Sequence, residues 1–122
     1  MARRGHIFAP RESLIQGAVV EHWLLLGLPD TLVAAIPNAN AHGQPGLTKG
    51  LPDLLVLGPS VPGFVGFIEL KRTARSIVSN DQLAFKNICW ALRIPCELCI
   101  GRDEPISVLE RWGVVRPQAR AA

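Results

Sequence analysis

The sequence predicts an α/β fold with a mixed central sheet flanked by helices, in the order α-β-β-β-α-β-α. Three observations support this prediction: a helical apolar period at 12–26, a strand-turn-strand pattern at 51–71, and a capped helical segment after residue 79. The chain has 122 residues, of which 48% are hydrophobic, so it has room for one domain that buries a core.

The first helix is predicted from Glu12 to Leu26, after a basic arm at 1–11. Glu21 falls on the polar side of this helix, beside Ser13 and Gly17. At about 100° per residue, Glu12 falls on the opposite side, which carries the repeating apolar residues Ile15, Val19, Trp23 and Leu26. Of the two glutamates, only Glu12 therefore borders the face that is expected to pack against the core.

Three strands are predicted next along the chain. The first is a short apolar run at 32–36, and the loop that follows it, 38–50, is rich in Asn, Gly and Pro. The other two are residues 51–57 and 64–71, which are separated by a turn at 58–63 with two prolines and two glycines. The pattern predicts a hairpin.

The last third of the chain begins with a helix signal. Ser79 is followed three residues later by Gln82, a capping-box pattern that opens a second helix ending near residue 93. The remaining predicted segments are a strand at 96–100, a helix at 104–112 and a basic tail at 114–122. We therefore expect a single domain from residue 12 to residue 113.

Charge and hydropathy restrict the class of protein. The 13 basic and 10 acidic residues give a net charge of +3, which alone does not indicate a nucleic-acid-binding protein. No segment reaches the roughly 18 uninterrupted apolar residues of a membrane span, and the N-terminus lacks a signal-peptide pattern. We expect a cytoplasmic protein with no membrane partner, and its small size suits a bacterial or phage-infected cell.

The cysteines and aromatic residues favour structural roles. Cys96 and Cys99 form a C-x-x-C pair, but in a strand their sulfurs would point to opposite faces, which favours buried apolar cysteines over a zinc site. His22 is expected beside the polar face of the first helix, and His42 is expected to be a surface histidine of the 38–50 loop. Packing is expected for the tryptophans Trp23, Trp90 and Trp112, with stacking on an unpaired base as the alternative for an exposed one.

Two carboxylates and a lysine are expected to meet on the hairpin. Strand alternation places Glu69 and Lys71 on one face, and Asp53 enters at the start of the preceding strand. Asp53 and Glu69 could hold Mg²⁺ or Mn²⁺, while Lys71 would orient or deprotonate an attacking water during phosphodiester hydrolysis. The alternative is an ion pair of Lys71 with one carboxylate at a strand end.

These residues also carry a resemblance to a known family. The segment GLPDLLVL (50–57), followed by GFIELKR (66–72), resembles the PD-(D/E)xK nuclease superfamily and, within it, the virus-type replication-repair nuclease (VRR-NUC) family. The further matching residues are Glu12, Pro37, Asn38, Ser79 and Gln82. The resemblance covers roughly residues 12–101 and implies a restriction-endonuclease-like core.

The resemblance also implies roles for single residues. The catalytic residues would be Asp53, Glu69, Lys71 and Gln82, the last touching substrate or water unless it serves only as a cap. The metal ligands would be Glu12, Asp53 and Glu69, with Mg²⁺ or Mn²⁺ as the cofactor. Nucleic-acid contacts would come from Asn38, Arg72 and Arg75.

The activity that the resemblance implies is divalent-metal-dependent endonucleolytic cleavage of DNA. Stand-alone members resemble Holliday-junction resolvases, so a structure-specific enzyme for branched DNA, acting as a homodimer, is the leading hypothesis. The alternatives are a restriction-like nuclease that reads a short sequence, a nucleic-acid-binding module of the same fold that does not cleave, and a scaffold with ion-paired carboxylates.

Overall fold

A four-stranded mixed sheet lies at the centre of the protein, with two helices on one face and one on the other. The structure is a computed structural model that describes residues 11–37 and 45–118. Its elements are α1 (Glu12–Leu26), β1 (Leu32–Ala35), β2 (Leu54–Leu57), a 3₁₀ turn (Pro62–Phe64), β3 (Val65–Lys71), α2 (Asn80–Leu92), β4 (Cys96–Ile100) and α3 (Asp103–Arg111). The predicted α/β fold and its element order are confirmed.

The sheet has the strand order β1-β2-β3-β4. The first three strands are antiparallel neighbours, and Leu54 of β2 pairs with Ile68 of β3, so the predicted hairpin is present. β4 lies parallel to β3, with Glu69 opposite Leu98. A parallel neighbour requires a long crossover connection, and α2 supplies it.

Strand alternation separates the two faces of the sheet. Leu54 and Ile68 are fully buried in the main core beneath α1 and α3. The main core also contains Val56, Leu70, Ile15, Val19, Cys99, Leu109 and Trp112. Gly66 is required there, because an added Cβ would lie 2.7 Å from the Trp112 ring. On the other face, Phe67 meets Phe85 of α2 edge to face, with ring centroids 5.1 Å apart.

Two segment ends differ from the sequence-based prediction. β2 begins at Leu54 instead of residue 51. Pro52 has no N–H to donate to a neighbouring strand. Before Leu54, the pairing with β1 continues only through the Asp53 carbonyl, which accepts a hydrogen bond from Ile36 N–H. At the other end, Val114 and Val115 are fully buried, and Val114 accepts a 2.9 Å hydrogen bond from Leu28 N–H. The domain therefore continues past residue 113, into the segment that was predicted to be a basic tail.

Two aromatic predictions are wrong. His22 is buried because it follows Ile15 by seven positions and points in nearly the same direction as that core residue. Trp112 is buried and Trp23 donates a 2.9 Å hydrogen bond to the Thr31 hydroxyl, as packing residues do, but Trp90 is 85% exposed.

Within 11–37 and 45–118, no helix is long and apolar enough to cross a membrane.

Candidate active site

Three of the four predicted catalytic residues, Asp53, Glu69 and Lys71, meet where β2 begins and β3 ends. Because β2 and β3 run antiparallel with Leu54 opposite Ile68, Asp53 comes to lie beside Glu69. The Asp53 carboxylate accepts a 2.7 Å hydrogen bond from the backbone N–H of Leu70. This bond holds the Asp53 side chain against the end of β3, in the place where backbone pairing between β2 and β3 would otherwise continue.

The Lys71 ammonium is held on several sides. Its Nζ lies 3.5 Å from Glu69 Oε2, and it donates 3.1 Å hydrogen bonds to the Ile77 carbonyl and to Gln82 Oε1. Lys71 is only 7% exposed and Glu69 only 8%. The predicted ion pair is therefore present, but it belongs to a buried polar network that also includes Asp53, and not to an isolated strand end.

Gln82 forms the predicted cap of α2 and also contacts Lys71 and Glu69. As the third residue of α2, it accepts from Ser79 N–H through Oε1 while its own N–H donates to the Ser79 hydroxyl, which completes the capping box. The same Oε1 accepts from Lys71, and Nε2 donates a 2.6 Å hydrogen bond to Glu69 Oε2. The first turn of α2 therefore positions the charged groups of the site.

An open cleft of about 850 Å³ gives access to these residues. Asp53, Glu69 and Gln82 line the cleft, as do residues from the first turns of α1 and α2 that include Glu12 and Asp81. Glu12 is half-buried and Glu21 is exposed, so the predicted orientation of α1 is confirmed.

Sequence reasoning missed two features of the site. The Ile77 carbonyl lies in an irregular segment with no motif, so nothing in the sequence identified it as an acceptor for Lys71. The second feature is the structural role of Gly50, a residue that the sequence already marked as part of the G-x-PD motif. Its φ is +86°, and an added Cβ would lie 2.3 Å from the Asp81 backbone, so the glycine lets the loop before β2 pass the start of α2.

Two of the three predicted nucleic-acid-binding residues come directly after β3. Arg72 and Arg75 follow β3 and are exposed to solvent. Asn38 and His42 lie outside the described residues. Cys96 is hydrogen-bonded to Cys89 on the α2 side of the sheet, whereas Cys99 belongs to the main core, so the C-x-x-C sulfurs point to opposite faces as expected. Burial raises the pKa of Cys96 and of Cys99 to about 12, which disfavours metal-binding thiolates.

The two carboxyl groups perturb each other. Burial, followed by the charge of Asp53, raises the pKa of Glu69 to about 7, against the opposing charge of Lys71. Burial also raises the pKa of Asp53, although hydrogen bonds from Leu70 N–H and from the Glu69 side chain oppose the increase. One lysine therefore does not fully compensate the adjacent carboxylates of half-buried Asp53 and buried Glu69.

The donor set fits a hard divalent cation. Mg²⁺ prefers oxygen ligands and is usually held by one or two carboxylates together with water, which matches the convergence of Asp53 and Glu69 in an open cleft. Within the described parts of the chain, no three His, Cys, Asp or Glu side chains are close enough to hold a metal together. The negative charge of Glu12 helps to raise the pKa of Glu69, but Glu12 does not join the Asp53–Glu69 pair. The predicted three-carboxylate cluster is therefore not assembled.

The raised pKa of Glu69 predicts a pH dependence of stability. Between its ordinary value of 4.5 and its folded value of about 7, the folded protein binds more protons than the unfolded chain, so the free energy of unfolding falls as the pH rises through this window. In Glu69→Gln the decrease should be smaller, whereas the exposed control Glu21→Gln should behave like the wild type. Denaturant unfolding in a chelator between these pH values tests the expectation, and equal slopes in all three proteins would contradict it.

Comparison with solved structures gives the fold a name. A structure described as a VRR_NUC domain superposes with a TM-score of 0.60 at 22% sequence identity, covering 84% of this chain and 97% of that chain. No protein-family model and no curated protein sequence matches the chain. The likeness in fold is to the same family that the sequence motifs resemble, namely Glu12, the PD and E-x-K segments and Ser79 with Gln82. The chain therefore has the fold of a VRR_NUC domain.

Proposed function

We propose that the protein is a divalent-metal-dependent DNA endonuclease. The observation that carries this proposal is the pair formed by half-buried Asp53 and buried Glu69, which faces an open cleft with Lys71 held beside it. A purely structural ion pair would need one carboxylate and no cleft. The VRR_NUC fold supports the proposal, because the similar domain carries a nuclease description.

Each residue of the network has a distinct task in phosphodiester hydrolysis. Asp53 and Glu69 would hold Mg²⁺ or Mn²⁺, which when bound polarises the phosphate as a Lewis acid. Gln82 fixes the Glu69 carboxylate through Nε2. Lys71, held by the Ile77 carbonyl and Gln82, keeps a compact positive charge beside the position where negative charge develops on phosphate.

The cleft combines four carboxylates, those of Glu12, Asp53, Glu69 and Asp81, with groups that favour an anion. The first turns of α1 and α2 both border the cleft, so the partial positive charge at two helix N-termini faces it. Lys49 lines the same cleft, and Arg72 and Arg75 are exposed after β3. These side chains would contact the DNA backbone, and the sequence resemblance adds Asn38 to them.

The substrate proposed is branched DNA, including four-way junctions, cleaved by a symmetric homodimer. One domain of 122 residues covers little duplex, whereas two copies related by a two-fold axis place two centres on two strands. The decisive experiment incubates the purified protein with linear, nicked, flapped and four-way DNA in Mg²⁺, Mn²⁺ or chelator. Metal-dependent cuts in branched DNA support the proposal. DNA binding without cleavage in either metal would favour a non-cleaving module. Cuts at one short sequence would favour a restriction-like enzyme.

The two glutamates of α1 provide a matched test of the cleft. Glu12 borders the cleft and its charge reaches Glu69, whereas Glu21 is exposed on the far side of the same helix. Glu12→Gln should lower cleavage by about 10- to 100-fold, the range typical of groups that support a metal site from outside it. Glu21→Gln should cleave like the wild type. Equal effects, or an effect at Glu21 alone, would show that the assignment of Glu12 is wrong.

A further inference from the structure

Trp90 is an aromatic residue for which the fold gives no packing role. It lies in the last turn of α2 and is 85% exposed, whereas Trp112 is buried in the main core. A tryptophan usually buries a large apolar surface, and one left in solvent commonly marks a contact with a ligand or partner. The residues around Trp90 indicate which ligand chemistry suits this position.

Two positive charges flank Trp90. Lys86 precedes it by four residues and Arg93 follows it by three, so both side chains are its neighbours on the helix surface. Both are exposed, and neither forms an ion pair with another residue of 11–37 or 45–118. Asp81, nine positions before Trp90, falls on the opposite side of α2. This flank of the helix therefore combines an aromatic ring with positive charge that no described carboxylate pairs with.

A hollow beside Trp90 offers space for a planar group. It has a volume of about 440 Å³ and is lined by Trp90, Arg93, Ile94 and Pro95. This volume lies within the range of roughly 300–1,000 Å³ that small-molecule sites have. Arg93 has a φ of +59° at a helix end where glycine is usual, and its charge offsets the partial negative charge at the carboxyl end of α2. A phosphate group would therefore not be repelled from this end of the helix.

The same flank leads back to the candidate active site. Gln82, Lys86 and Trp90 follow one another at intervals of four residues and form one row along α2. Gln82 lines the cleft, and Gln82 and Lys86 together line a smaller hollow. The two carboxylates of this smaller hollow, those of Glu69 and Glu97, both have basic partners. The row therefore connects the cleft with the hollow at Trp90.

We propose that Lys86, Trp90 and Arg93 form a binding strip for an unpaired DNA strand, with one base stacked on the Trp90 ring and the two cations against the phosphates. Stacking on an aromatic ring, combined with basic side chains along the backbone, is how proteins commonly hold a single strand without reading its sequence. Gln82 and Trp90 are about 12 Å apart along the helix axis, at about 1.5 Å per residue. About three or four nucleotides span this distance at roughly 3.4 Å each. A strand that enters the cleft therefore reaches Trp90.

The strip selects unpaired nucleotides, because a base inside a duplex is not available for stacking on a side chain. A duplex could offer only its phosphates to Lys86 and Arg93. The strip rests on the proposed function for the identity of its ligand as DNA, since it would hold the strand beside the bond that is cut. Binding to the strip needs neither a metal nor cleavage, so the two proposals can fail separately.

Binding of a fluorescein-labelled oligothymidylate to the full chain in a chelator tests the strip. Trp90→Ala should weaken this binding by about 5- to 150-fold, the range for loss of one stacked base. Leu92→Ala is the matched control and should bind like the wild type, because Leu92 is 64% exposed on the other flank of the same helix. Binding of a blunt duplex of equal length should change little in either variant. Absence of single-strand binding by the wild type, wild-type affinity of Trp90→Ala, or an equal loss with the duplex would overturn the proposal.

Intrinsic fluorescence reports the stacking contact itself. The unlabelled strand should quench the tryptophan emission of the wild type, and the quenching should disappear in Trp90→Phe, since Trp23 and Trp112 pack within the domain. Trp90→Phe should keep part of the affinity, because the smaller ring still stacks on a base. Quenching that persists in Trp90→Phe would exclude stacking on Trp90.

Salt dependence tests the two cations. Lys86→Ala and Arg93→Ala should each reduce the slope of log affinity for the single strand against log salt by about 0.7, the value for one phosphate contact. Arg116→Ala is the control and should leave the slope unchanged, because Arg116 is exposed beside Leu25 of α1, on the other face of the sheet. Unchanged slopes in Lys86→Ala and Arg93→Ala would contradict the strip. If Trp90→Ala keeps its affinity for the single strand but loses self-association in sedimentation, a protein contact covers Trp90 and the proposal is wrong. Binding that depends on Trp90 in a protein that cuts no DNA would support the strip and refute only the nuclease.

Discussion

Asp53→Asn and Glu69→Gln should each reduce single-turnover DNA cleavage by at least about 10³-fold, the loss expected when several kcal/mol of metal-derived stabilisation disappear. Each substitution removes a negative charge that a hard cation requires while keeping the side-chain volume. The fold should persist, because an amide oxygen can still accept from Leu70 N–H at position 53 and from Gln82 Nε2 at position 69. Removing one of these two repelling carboxylates should even raise the thermal stability of the metal-free protein.

The measurement combines cleavage at saturating enzyme, DNA binding in a chelator, and thermal unfolding. Glu97→Gln is a suitable control, because Glu97 forms a 3.3 Å pair with the exposed Arg111 away from the cleft, and surface pairs contribute little. Wild-type cleavage rates of Asp53→Asn and Glu69→Gln in Mg²⁺ would remove the basis for the assigned site. A parallel loss of DNA binding and stability would instead indicate a structural role for the pair.

Alternation and helical periodicity were sufficient to predict where the charged groups lie. The period of two in β3 places Glu69 and Lys71 on one face, and the hairpin then brings Asp53 beside them. The period of α1 separates Glu12 from Glu21 in the same way. These patterns succeed because each reflects a local backbone geometry that tertiary packing does not change.

Features that depend on irregular or distant segments could not be predicted in this way. The path of residues 72–79 has no period, so the Ile77 carbonyl could not be assigned to Lys71 in advance. The burial of Val114 and Val115 depends on a bridge to Gly27, which lies far away in the sequence. Trp90 has the residue type of a core position, but only the fold shows that it lies on the side of α2 that the sheet does not cover.

The geometry around Lys71 specifies a lysine. Its ammonium donates to the Ile77 carbonyl and to Gln82 Oε1, both at 3.1 Å, and faces Glu69 Oε2 at 3.5 Å. These three acceptors surround a single point charge in a buried space. A guanidinium is planar and wider, stays protonated, and presents its donors in a fixed fork, so it cannot reproduce the arrangement.

Lys71→Arg should therefore preserve net charge and yet lower the single-turnover cleavage rate by about 10²- to 10⁴-fold, the range for loss of one proton-transfer or charge-stabilising group. Lys71→Ala should fall at least as far. Arg75→Ala provides the contrast. Loss of the phosphate contact proposed for exposed Arg75 should weaken DNA binding and reduce its salt dependence, while the rate at saturating enzyme stays near that of the wild type. Thermal unfolding of each variant separates a lost fold from a lost chemical step. Near-normal rates in both Lys71 variants, with only weaker DNA affinity, would assign Lys71 to docking and support a non-catalytic module.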